Sequence, residues 1–208
     1  VMTTLKVKKH QDSAQAEARR QQVLLAAADC FRRRGYHGAG MAEISKTAGM
    51  SPGHIYNYFA SKEAIIEAIV AQNMADMFSL IQQFANAQGP VVDAMIAGAD
   101  YGVSKNLAPA YAALQLEMLS EAARNEKVAT LLKHADATAR CQLSALLTGE
   151  QGSLQKLPNT EIAARIELLC AVFNGFLVRA VLHPQLDQQE LLRTLQPWLK
   201  QLLAPNSA

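Results

Sequence analysis

His54, Tyr56, Asn57 and Tyr58 stand within five consecutive positions, and Lys62 follows four residues later. An imidazole, two phenols, a carboxamide and an ammonium are groups that recognise a polyanion. A carboxamide can pair bidentately with adenine, while phenols and an ammonium suit phosphate oxygens. The residues around them supply a frame. Ile55 and Phe59 are four apart and give a short helix its buried stripe. Ser51-Pro52 opens that helix with an N-cap and a proline at the first helical position. Gly53 removes a side chain beside it, which lets backbone approach a partner closely. Upstream, Ile44 and Ala48 share a face of a preceding helix, and Gly49 suits the positive φ of a sharp turn. Downstream, Ser61-Lys62-Glu63-Ala64 caps a third helix. A helix, a tight turn and a polar, aromatic-rich second helix have the geometry that enters a DNA major groove.

This segment resembles the DNA-binding half of the TetR family of bacterial transcriptional regulators. The resemblance is carried by Gly35-Tyr36, Met41 to Ile44, Ala48-Gly49, Ser51, Ile55-Tyr56, Phe59 and Ser61-Lys62-Glu63, and spans about residues 18–66 without gaps. It implies that Tyr56, Tyr58 and Lys62 contact phosphates and that Pro52, Gly53, His54 and Asn57 face bases, with Ser51 opening the helix that carries them. Many members carry Thr or Ser where this chain has Gly40. That hydroxyl caps the second helix and touches a phosphate, and Gly40 lacks it.

Charge is distributed to match. Residues 1–62 hold ten Lys/Arg against four Asp/Glu, a net +6, while residues 63–208 hold ten against fourteen, a net −4. A basic head on an acidic body fits a polyanion-binding module joined to a second function. No run of about 18 uncharged apolar residues occurs, so no membrane span is expected. Basic residues 1–13 lack the apolar stretch of a secretory signal. Cys30, Cys141 and Cys170 have neither disulfide nor zinc-ligand spacing, which points to buried free thiols and a cytoplasmic setting.

The pattern is helical throughout, which predicts an all-α fold of roughly nine helices. Residues 1–15 read as a flexible basic arm, 16–62 as a three-helix DNA-binding head, and 63–208 as a body of about six helices. Helices are expected over 62–86, 90–106, from Ala108-Pro109 to about Glu121, 126–148, from the cap Asn159-Thr160-Glu161 to Leu182, and 187–203. Pro197 predicts a kink or break in the last of these.

Two further roles are expected of the body. The helices over 160–182 and 187–203 carry more apolar surface than one core-facing side needs, and the family pairs such helices into a dimer. The expected interface is Ile166, Leu169, Phe173, Leu177, Leu195, Trp198 and Leu202. The family also holds a small effector within its body. The candidate lining is Met95, Tyr101, Leu114, Glu117, Met118, Glu121, Cys141, Phe173 and Phe176, with Glu117 and Arg140 as buried polar handles or a structural ion pair.

The expected protein is thus a dimeric repressor that binds double-stranded operator DNA and is released by a small-molecule inducer, with no cofactor or metal. An architectural DNA-binding protein or an activator of the same fold is the alternative. An all-α enzyme is the remote one. HExxH, CxxC, a Walker loop, GxSxG and a glycine-rich nucleotide turn are all absent from the sequence, and the five histidines lack metal-ligand spacing.

Overall fold

The computed structural model describes residues 2–204, with side chains described from residue 14 onward. Those residues form ten helices and no strand: α1 (Met2–Gly38), α2 (Met41–Thr47), α3 (Pro52–Ile55), α4 (Lys62–Ala85), α5 (Val91–Ala97), α6 (Ala99–Leu107), α7 (Pro109–Ala122), α8 (Glu126–Thr148), α9 (Asn159–Leu182) and α10 (Gln188–Leu203). Two compact units result, Val1–Ala71 and Gln72–Ala208. The division falls inside α4, nine residues beyond the boundary expected at Lys62.

The first unit is built on α1. Its helical span reaches back to Met2, through residues expected as an arm. At its far end Gly35 adopts φ 70°, ψ 167°, a left-handed value open to glycine, and the chain turns there as its sequence implied. Val23, Ala27, Cys30 and Phe31 of α1, Ile44 of α2, Ile55 of α3 and Ile65 and Ile66 of α4 are each at most 1% exposed, with α1 packed on α2 and α2 on α3. Full burial of each Ile or Phe contributes about 1.5–3 kcal/mol.

In the second unit α7 packs on α8 and α9, and α6 on α9, with α10 against α5 and α6. Val103, Leu147, Leu154 and Leu203 are fully buried at its centre. The helix expected over 90–106 is two. Gly98 separates α5 from α6, and the Phe84 ring lies against it; a Cβ there would lie 2.7 Å from Phe84 Cε1. Pro197 interrupts nothing: α10 runs through it to Leu203. Asn159 is the first residue of α9 rather than its cap, a place Pro158 takes without a side-chain bond. The Arg165 guanidinium clamps this end of the body. It donates to the Leu202 and Ala204 carbonyls at 2.8 and 2.6 Å and pairs with Glu161 at 2.7 Å.

α4 is the one described helix whose length and mean hydropathy, 1.4, would suffice to cross a membrane. Of its apolar residues, Ile65, Ile66, Ile69, Val70 and Ile81 are buried in the protein itself.

Candidate nucleic-acid interface

The turn between α2 and α3 is held by side chains as well as by Gly49, whose φ is 63°. Ser45, fully buried, donates its hydroxyl to the Met50 carbonyl at 2.6 Å, and the Gln22 amide of α1 donates to the Ala48 carbonyl at 2.6 Å. Ser51 caps α3 by accepting from the His54 amide at 3.3 Å. Below α3, the Arg20 guanidinium lies 4.3 Å from the centre of the Phe59 ring and donates to the Tyr58 carbonyl at 3.3 Å. Arg20, Gln22 and Ser45 were not singled out from sequence. Their polar groups are spent on backbone carbonyls forty residues or fewer away, a use that periodicity does not reveal.

α3 ends at Ile55, short of the helix expected to reach Phe59, and a turn continues it; with Ile55 and Phe59 buried, the other side chains of α3 and this turn are exposed or half-buried. Ser51, Pro52, Gly53, His54, Tyr56 and Asn57 are exposed, Tyr56 at 54%, and Tyr58 is half-buried. His54 and Tyr58 form a pair one turn apart: their rings are 5.4 Å apart and the Tyr58 hydroxyl is 3.4 Å from His54 Nε2.

Lys62 has a structural task. Its ammonium donates to the Tyr36 carbonyl at 2.7 Å and sits 4.3 Å from the centre of the Tyr36 ring, while the Tyr36 hydroxyl donates to Glu63 at 2.7 Å. The first turn of α4 is thereby tied to the turn that ends α1. The Tyr36 hydrogen bond, helped by Glu63's own backbone N–H and by Ser61, holds the Glu63 carboxyl below its ordinary pKa. The arginine run is also engaged: Arg32 and Arg33 pair with Asp29 at 2.6 and 2.7 Å, and Arg34 with Glu43 at 2.8 Å. Gly40 precedes α2 with extended backbone and no side-chain cap.

Two family models match the chain. Bacterial regulatory proteins of the tetR family match over residues 23–69, and the C-terminal region of BetI-type transcriptional repressors matches over residues 103–204. The HTH-type transcriptional regulator UidR of Escherichia coli K12 is 30% identical over 173 residues, covering 80% of this chain and 84% of UidR. The chain belongs to the TetR family. It is a DNA-binding transcriptional regulator. Among solved structures, Salmonella enterica GusR superposes with a TM-score of 0.73 at 28% identity, over 89% of this chain and 95% of GusR. The regulator FadR of Bacillus subtilis, solved with stearoyl-CoA, shares the fold at a TM-score of 0.71 and 16% identity, over 86% and 96% of the two chains.

In this TetR-family body the residues expected to line an effector site lie at different depths. Met95, Leu114, Met118 and Phe176 are buried, and Phe173 and Glu117 are half-buried. Phe173 lies across Gly102, where a Cβ would come within 2.5 Å of its ring. Glu121, fully buried, accepts from Arg124 at 3.1 Å and Asn125 at 2.9 Å, which fixes the α7–α8 turn. Tyr101 is 45% exposed, and Cys141 lies on the surface rather than buried as its apolar surroundings suggested. Arg140 is no buried handle: it is 44% exposed and pairs with Asp136 at 2.9 Å and Glu167 at 3.3 Å.

The expected dimer residues divide likewise. Ile166, Leu169, Leu177 and Leu195 fill this chain's own core, at 2–6% exposure, while Phe173, Trp198 and Leu202 are half-buried against it. The apolar side chains that α9 turns outward are Leu168, Val178, Val181 and Leu182, at 44–59% exposure. An apolar run on both faces made the helix legible but not which face pointed in.

Proposed function

We propose that this protein is a cytoplasmic, homodimeric repressor released from its operator by a small-molecule effector. The observation that carries this reading is the presence, in one chain, of a TetR-type head over 23–69 and a BetI-type repressor body over 103–204. In the reading, α3 lies in the major groove. Pro52, Gly53, His54 and Asn57 face bases, with Ser51 holding the helix start. Tyr56 and Tyr58 reach phosphates, and Lys62 adds charge at the start of α4 while holding Tyr36. One head spans few base pairs, so a two-fold pair of heads reading two half-sites supplies useful specificity. The dimer face is the outward stripe of α9, Leu168, Val178, Val181 and Leu182, interleaved with the small exposed residues Ala164 and Ala171. Such a stripe exposed on a lone chain marks an association surface.

The test is fluorescence anisotropy of the protein against duplexes tiling its own upstream region, with a scrambled duplex and a salt titration. The expected result is one tile bound well above the scrambled control, at a stoichiometry of two chains. Equal, steeply salt-dependent binding to every tile would replace the repressor with an architectural protein. Transcription from the bound promoter that rises with the protein would make it an activator.

A further inference from the structure

In the body, α4, α6 and α7 bring together Asp76, Tyr101, Lys105 and Tyr111. Lys105 and Tyr101 are one turn apart on α6, and the Lys105 ammonium lies 5.7 Å from the centre of the Tyr101 ring and 5.2 Å from that of Tyr111. It donates to Asp76 Oδ2 at 3.0 Å. Its side chain is only 21% exposed, while Asp76 is 45% exposed. Burial by itself would lower the Lys105 pKa. The Asp76 hydrogen bond and the two phenols outweigh it, so the pKa stands above its ordinary value and the cation is secure. A cation walled by two rings, with a counter-ion largely in water, is a place where another anion can compete.

A second observation is independent of the first. Gln115 follows Tyr111 by one turn of α7, and its Nε2 is buried with no acceptor. A buried amide donor left unmade carries its full desolvation penalty, and each such group in a native structure calls for a partner. An amide donor one helical turn from Tyr111, whose ring centre lies 5.2 Å from the Lys105 ammonium, asks for acceptor oxygens.

We infer that Lys105 and Gln115 form the recognition site for the effector, and that the effector is a small organic anion. Its charged group takes the place of Asp76 on Lys105, a neutral oxygen accepts from Gln115 Nε2, and Tyr101 and Tyr111 flank its body. The inference rests on the ligand-responsive reading above and supplies the chemical class that reading lacks. It also gives the ligand something to change, since Asp76 belongs to α4, the helix that begins at Lys62 in the head and ends in the body. A ligand alters a conformational equilibrium only through interactions that differ between states, and loss of the Asp76 bond is one.

The experiment uses the full chain, its thermal midpoint and its release from the operator tile. The probes are benzoate, octanoate, gluconate and glycerol phosphate, each beside a neutral counterpart (benzamide, octanol, sorbitol, glycerol), with a quaternary ammonium as a cationic control. At least one anion is expected to raise the midpoint by several degrees and release the tile, with carboxylates and phosphate distinguished by which does so. Lys105→Met should weaken that response roughly tenfold to a hundredfold, and Lys105→Arg should restore most of it. Gln115→Leu should lose the response without lowering the unliganded midpoint, which a purely structural glutamine would not allow. Asp76→Asn should strengthen the response by removing the competitor. An anion that acts equally on wild type and Lys105→Met overturns the site. Action by neutral or cationic compounds alone overturns the anion class and leaves ligand responsiveness standing. A wild-type protein that binds its tile and ignores every compound overturns both.

Discussion

In the head, Ser51 and Ser61 close their helices with their own hydroxyls, and Ser45, Gln22, Arg20 and Lys62 each spend a polar group on a backbone carbonyl. In the body, α5, α7 and α9 begin at Pro90, Ala108 and Pro158, none of which forms a side-chain cap. The body does carry caps at Asn125 and Asp187 and the Arg165 clamp, but α5, α7 and α9 pack through interlocking apolar volume, down to Phe84 on Gly98 and Phe173 on Gly102. Directional bonds hold the head's two short helices, α2 and α3, in one geometry, which suits a surface that must match a groove. Helices that meet through apolar side chains, as α6, α7 and α9 do, can repack, which suits an element that changes state.

Core truncations test that contrast most severely. Ile55→Ala in the head and Leu147→Ala in the body each remove a fully buried side chain and should each cost about 2–5 kcal/mol. Denaturant melts should show similar losses, but only Ile55→Ala should abolish operator binding under folding conditions. Equal loss of binding in both would erase the distinction. Asn57→Ala comes next. It should relax one base position by about 1–3 kcal/mol across operator variants, whereas a uniform loss would place Asn57 on the backbone. Tyr36→Phe removes the donor to Glu63 and should cost about 1 kcal/mol of stability. It also carries a pH signature. Glu63 is depressed in the folded protein, so its contribution is present above the unfolded carboxyl pKa and fades as pH falls through the lower folded value. The Tyr36→Phe penalty should therefore shrink in acid. If it does not, the tyrosine acts by packing alone. The smallest effect is Gly40→Thr. The backbone there is extended and a Cβ meets nothing within 4 Å, so a cap worth a few tenths of a kcal/mol should form. Binding should tighten with it through the added hydroxyl.

The same contrast explains what the sequence disclosed. Caps and turns act locally, so Gly49, Ser51-Pro52 and Ser61 could be read one by one, and all mark ends or starts of helices in the structure. The outward set on α3 followed from the placement of Ile55 and Phe59. Lys62 was harder, since its bond to the Tyr36 carbonyl closes a loop of 26 residues that no local pattern records. In the body the helices were legible and their inner faces were not. α9 is apolar around much of its circumference, so Ile166, Leu169 and Leu177 could not be told from Leu168, Val178 and Leu182 until α6, α7 and α8 were in place. Gly98 hid for the same reason: it and Gly102 both lie in the same run under a phenylalanine ring, yet Gly98 parts two helices and Gly102 continues one.

Trp198, half-buried against the body's leucines, is the chain's single tryptophan, while the head's ring fluorophores are tyrosines. Emission excited at the red edge of the indole band therefore reports the body alone, and circular dichroism reports both units. Overlaid melting traces of the two signals would show, on the unlabelled wild-type chain, whether the head comes apart with the body or before it.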